Sequence, residues 1–74
     1  MKFKFEVGDL VKRSWHPKIN KEAIGIVIEI RIVEGKGTKN VFYKVHWFNL
    51  DDQFSSHWNL TLWFPNEIKR IKSV

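Results

Sequence analysis

The chain has 74 residues, with 13 Lys+Arg against 8 Asp+Glu, a net charge of +5 and no cysteine. Residues 1–74 therefore read as one domain, with neither a disulfide framework nor a thiolate zinc site to staple it. A chain this short buries only about 60 % of the surface its unfolded form exposes, and its bulk comes from four Trp, six Phe and one Tyr.

The charge lies within the range of about 2–8 that keeps a small domain soluble. It is carried mostly by Lys, with Arg only at 13, 31 and 70, so it suits diffuse attraction to anions better than forked recognition of phosphate or base. No apolar run approaches the roughly 18 residues of a membrane span. The opening Met1-Lys2-Phe3-Lys4-Phe5 is not a secretory leader, so export by a signal peptide and a membrane partner are not expected.

Along the chain, Gly8-Asp9 reads as a turn and Leu10 to Arg13 as a short strand. Ser14 to Glu22, with Pro17 and Asn20, reads as a loop. Ile24 to Val33 alternates with period two, its five isoleucines on one face, and this β-branched pattern predicts a strand with Ile28 directed to the core. Glu34 to Asn40 is polar and holds two glycines, a hairpin tip. Val41 to Trp47 is the return strand, with Tyr43, Val45 and Trp47 inward and Lys44 and His46 outward. Phe48 to Asn59 reads as a second long loop. Leu60 to Phe64 reads as a strand with Leu62 and Phe64 in the core and Trp63 on the opposite side. Pro65-Asn66-Glu67 breaks it, and Ile68 to Ile71 closes the chain as a last strand. No segment sustains a helical spacing long enough to predict an α-helix. The fold class is thus all-β, a small five-stranded barrel with two long loops, since closure removes exposed strand edges.

The opening Gly8-Asp9-Leu10-Val11, the segment Gly25-Ile26-Val27-Ile28-Glu29-Ile30, the run Tyr43-Lys44-Val45-His46-Trp47 and the closing Pro65-Asn66-Glu67-Ile68 resemble the SH3-like barrels of KOW-type proteins, Tudor-type proteins and the small barrel protein of photosystem I. The resemblance covers nearly the whole chain, but its motifs are fold motifs and do not specify an activity. The same spacings, with a Trp-rich end before a final Glu-Ile, are also similar to short proteins encoded by tailed bacteriophages of aquatic bacteria. That second resemblance implies a phage source, and with it the host cytoplasm or the virion as the place of action.

Chemistry finds little support in the residues. His16, His46 and His57 have no recognised ligand spacing, and a catalytic metal site wants about three protein ligands in one cluster. Asp51 and Asp52 are adjacent and point apart on an extended segment. No serine sits in a nucleophile motif, and Gly35-Lys36-Gly37 lacks the spacing of a phosphate loop. Neither a cofactor, a metal nor a small-molecule substrate is expected, and the chain reads as a binding module rather than an enzyme.

The aromatics in the loops are the first candidates for a binding surface. Trp15, His16, Phe54, Trp58 and Trp63 are the expected partner contacts, serving another protein or a second copy of the chain. The alternative is a single-stranded DNA or RNA binder, in which Lys12, Arg13, Arg31 and Lys44 on solvent-facing strand positions work beside stacking rings. The resemblance to the photosystem I barrel implies a third role, docking in electron transfer.

Overall fold

The computed structural model describes the backbone of residues 3–16, 19–50 and 52–73, and the side chains of residues 3–14, 22–50 and 56–73. Strands β1 (Leu10–His16), β2 (Ile19–Gly35) and β3 (Thr38–Trp47) are followed by helix α1 (Asp52–Leu60), β4 (Leu62–Trp63) and β5 (Lys69–Lys72). All described strand pairs are antiparallel, and they make one sheet in the order β4-β3-β2-β1-β5. The sheet is open. Its terminal strands β4 and β5 do not pair among the described residues, so the expected closed barrel is corrected to a five-stranded open sheet.

The predicted hairpin is present and tighter than expected. Lys36 and Gly37 form a two-residue turn between Gly35 and Thr38, and Gly37 takes a φ of 71°, which a glycine reaches without steric cost. The expected loop Ser14 to Glu22 is largely ladder: Ser14 pairs with Glu22 and His16 with Ile19, past a register shift. Backbone pairing needs no apolar face, so polar side chains concealed it. Pro17, which belongs to the expected loop, lies outside the described residues.

The second expected loop holds α1, against the prediction of no helix. Nine residues are too few to display a sustained apolar stripe. Tertiary contacts hold the helix in place: Trp58 packs on the core and Asn59 Oδ1 accepts from the Trp47 amide at 2.8 Å. At its end Thr61 satisfies two C-terminal carbonyls, donating from Oγ1 to His57 at 2.7 Å and from its amide to Trp58 at 3.3 Å.

The core consists of Phe5, Val11, Ala23, Val27, Tyr43, Val45, Trp47, Trp63 and Ile68. On β2 it takes the odd positions Ala23, Gly25 and Val27, not the isoleucines, and Ile28 is 47 % exposed. A bulge explains the difference. Val27 pairs with Val45 and Glu29 with Lys44, so Ile28 is the extra residue and the inward parity moves to Ile30, opposite Tyr43. On β4 the prediction is also inverted: Trp63 lies opposite buried Tyr43 and shares its face, while Phe64 is exposed.

The N-terminal segment closes one side of the core. Gly8, at φ 99°, turns the chain so that its amide reaches the Val27 carbonyl at 2.8 Å. Phe5 meets the Tyr43 ring edge-on at 5.1 Å, and the Tyr43 hydroxyl accepts from the amides of Lys4 and Phe5. Asp9, fully buried, accepts from the Glu6 amide at 3.0 Å and from Arg70 Nε at 3.1 Å. Arg70 also donates to the Lys4 carbonyl, which ties β5 to this segment.

Candidate functional site

Two aromatic assemblies lie on opposite faces of the sheet. The inner one is a seam of Trp47, Trp58 and Trp63, with ring centroids 5.1–5.8 Å apart and every pair edge-on. Arg13 covers it. Its guanidinium lies 4.6 Å from the Trp63 ring and 5.6 Å from that of Trp58. The same group donates to the Glu67 carbonyl at 3.2 Å and pairs with the Glu67 carboxylate at 3.6 Å. The indole N–H groups of Trp47 and Trp63 are buried and find no acceptor among the described residues. The position a cationic ligand would occupy over these rings is therefore already filled by the chain's own arginine.

The seam relocates several predicted contacts. Trp63 is 5 % exposed and belongs to the core, so it is not a surface ring. Trp58 is half-buried against the core and keeps one part at the surface. The side chains of Trp15, His16 and Phe54 lie outside the described residues. Arg13 shares the inward parity of Val11 and is not on a solvent-facing position.

The outer assembly was not among the predicted sites. Phe42 and Phe64 stack at 4.7 Å, tilted by 51°. His46 and Phe48 meet edge-on at 5.4 Å. Ile24, Ile28, Phe48 and Phe64 are 40 %, 47 %, 57 % and 47 % exposed. The even positions of β3 put Phe42, Lys44 and His46 on this face, and Lys44 stands opposite Leu62. The signal was in the sequence. Phe42, His46 and Phe48 alternate with the core residues Tyr43, Val45 and Trp47, so aromatic rings stand on both sides of this stretch, with Lys44 among the outer ones.

The four predicted nucleic-acid contacts do not converge. Lys12 and Arg13 lie on β1 beside β5, where with Glu22, Glu67 and Lys69 they line an open cleft of about 490 Å³. Arg31 and Lys44 lie on β2 and β3. Lys12 pairs with Glu22 at 3.3 Å and Arg31 with Glu29 at 3.4 Å, so with Arg13 three of the four already face a carboxylate. Among the described residues, no three His, Asp or Glu side chains are placed to hold a metal ion, and no helix is long and apolar enough to cross a membrane. Compared with known proteins, the chain matches no family model, no curated protein and no solved structure.

Proposed function

We propose that the chain is a non-catalytic module of SH3-like architecture that binds another protein on the outer face of β2, β3 and β4. One observation carries the reading: Ile24, Ile28, Phe42, Phe48 and Phe64 come to the surface of a single sheet face, where no described element covers them. Exposed apolar side chains gathered on one face of a small domain mark an interaction site, and aromatic anchors dominate such interfaces. The strand order and the long β2, bulged at Ile28, support the SH3-like part of the proposal. The resemblance to short phage-encoded proteins adds a tailed-bacteriophage source to the same proposal.

A second reading has its own observation. Arg31 stands opposite Phe42 in the ladder and Lys44 is two residues further along β3, a ring with cations on either side of the kind that stacks single-stranded nucleic acid.

One experiment separates the two. The immobilised protein and its Phe48→Ser/Phe64→Ser variant are challenged with host-cell extract, and with labelled random single strand and duplex, at low and at moderate salt. The expected result is a protein partner retained at both salt levels and lost from the variant. Salt-sensitive retention of nucleic acid, with the protein partner unaffected by the variant, would replace the first reading by the second, because phosphate contacts weaken steeply as salt rises.

A further inference from the structure

Strand β3 is paired with β2 along its whole length, from Thr38 to Trp47, but on its other side β4 pairs only with Tyr43 and Lys44. Two hydrogen bonds establish which amides point to that other side. The Phe48 amide donates back to Ile24 on β2, and the Trp47 amide donates away from β2 to Asn59. In an antiparallel ladder this direction alternates residue by residue. The N–H and C=O groups of Lys39 and Val41 therefore point away from β2, into the stretch that no described strand covers.

Open edges are ordinarily guarded by proline, a bulge, an edge lysine or an inward charge. Thr38-Lys39-Asn40-Val41-Phe42 has no proline, and the one bulge of the hairpin lies on β2 at Ile28. Its one charge, Lys39, leans back across the hairpin to Glu34 at 3.4 Å. The edge runs directly into the Phe42–Phe64 pair of the outer face.

We infer that this edge of β3 receives an extended, acidic and β-branched segment of the partner protein, which adds a strand to the sheet beside Lys39 and Val41. The inference rests on the protein-binding reading above and specifies how the partner docks. Main-chain hydrogen bonds supply part of the affinity in such strand addition, and neighbouring side-chain contacts supply the selectivity. Charge selects the occupant. Between Glu29 and Lys44 the hairpin carries Arg31, Lys36, Lys39 and Lys44 against Glu29 and Glu34, four cations to two carboxylates, and among the described residues the ion pairs formed there are Arg31–Glu29 and Lys39–Glu34, which leaves a net positive charge on this stretch. A second copy of the chain fits poorly. Pairing two such edges about Lys39 sets like charges directly opposite one another. Pairing them about Asn40 brings the Lys36–Gly37 turn of each copy against residues that β4 already occupies in the other.

The test is selection of random heptapeptides displayed against the whole protein, followed by amide hydrogen exchange with the enriched peptides bound. The expected peptides are proline-free, carry Asp or Glu between β-branched residues, and slow exchange at the Lys39 and Val41 amides. Lys39→Pro removes one outward amide at an edge position where the fold does not use it, and should weaken these peptides by about tenfold or more. Lys39→Gln, which keeps the amide and removes the charge, should weaken them by less than Lys39→Pro while moving the melting temperature by at most a few degrees, since an exposed ion pair contributes little. Failure to enrich any peptide overturns the inference, and so do peptides that leave both amides exchanging freely. Peptides indifferent to both Lys39 variants but lost from Phe48→Ser/Phe64→Ser would overturn the edge and leave the outer-face reading intact.

Discussion

Gly25 is where the architecture has least tolerance. It pairs with Trp47 across the β2–β3 ladder, and a Cβ at this position would stand 2.6 Å from the His46 carbonyl oxygen, 2.6 Å from Val45 Cγ1 and 3.0 Å from Trp47 Cε3. A rotamer change relieves the second contact. The first is backbone, fixed by the ladder, so β3 itself has to move. Overpacking of this kind costs about 1–3 kcal/mol, and a collision with backbone belongs at the upper end. Restricting the unfolded chain returns about 0.5–1 kcal/mol, which leaves a net loss of about 2 kcal/mol for Gly25→Ala. A domain of this length has about 4–11 kcal/mol in all. At about 4–8 °C per kcal/mol for a small domain, the melting temperature should fall by about 8–16 °C, read by tryptophan fluorescence. Gly37→Ala is the control. Gly37 has a φ of 71° and open space around its missing Cβ, so that variant bears only the left-handed backbone penalty of about 1 kcal/mol. A fall of less than about 2 °C for Gly25→Ala, or a larger fall for Gly37→Ala, would refute the close approach of β3 to Gly25.

Two further substitutions test the face assignments. Val27→Asp places a charge at a site with no exposure and should unfold the domain, whereas Ile28→Asp, one residue on in the bulge and 47 % exposed, should melt within a few degrees of the parent; equal losses in a denaturant titration would mean that the bulge is misplaced. Trp63→Ala removes a ring that contacts Trp47, Trp58 and Arg13, and should cost about 3–5 kcal/mol in the same titration; a loss below about 1 kcal/mol would return Trp63 to the surface.

The hairpin was legible because its signals are local. Alternation from Ile24 to Val33, glycines at the tip and the Tyr43-Val45-Trp47 row each name a strand or a turn by themselves. The choice of buried face was not local. The isoleucines offered a regular apolar row, yet the core admits Gly25 because the Trp47 ring needs its space, and the parity then changes at a bulge that no residue of β2 announces. On β4 both faces were apolar, and only the register that sets Trp63 opposite Tyr43 decides between them. Helix α1 is short and held by contacts distant in sequence, notably Asn59 on the Trp47 amide. The outer aromatic face was missed for a related reason: Phe48 reads as the start of a loop and Phe42 is assigned to no face until the inward positions are known to be filled by Tyr43, Val45 and Trp47.

The same geometry bears on what the net charge does. Exposed ion pairs are worth about 0–1 kcal/mol, so the carboxylates facing Lys12 and Arg31 do not by themselves prevent those cations from turning to a phosphate. Distance is the stronger constraint. Lys12 is registered with Ile24 on β2 and Phe42 with Arg31, so the two basic groups are separated by seven residues of β2, roughly 20 Å of strand. At physiological ionic strength the Debye length is about 8 Å, so each group acts as a separate weak field. What lies between them on the outer side of the sheet is Ile24, Ile28 and the rings of β3, a surface whose attraction salt leaves nearly unchanged. Under the proposed reading, the apolar face is the principal contact of a basic chain, and the net charge would speed the approach of an acidic partner.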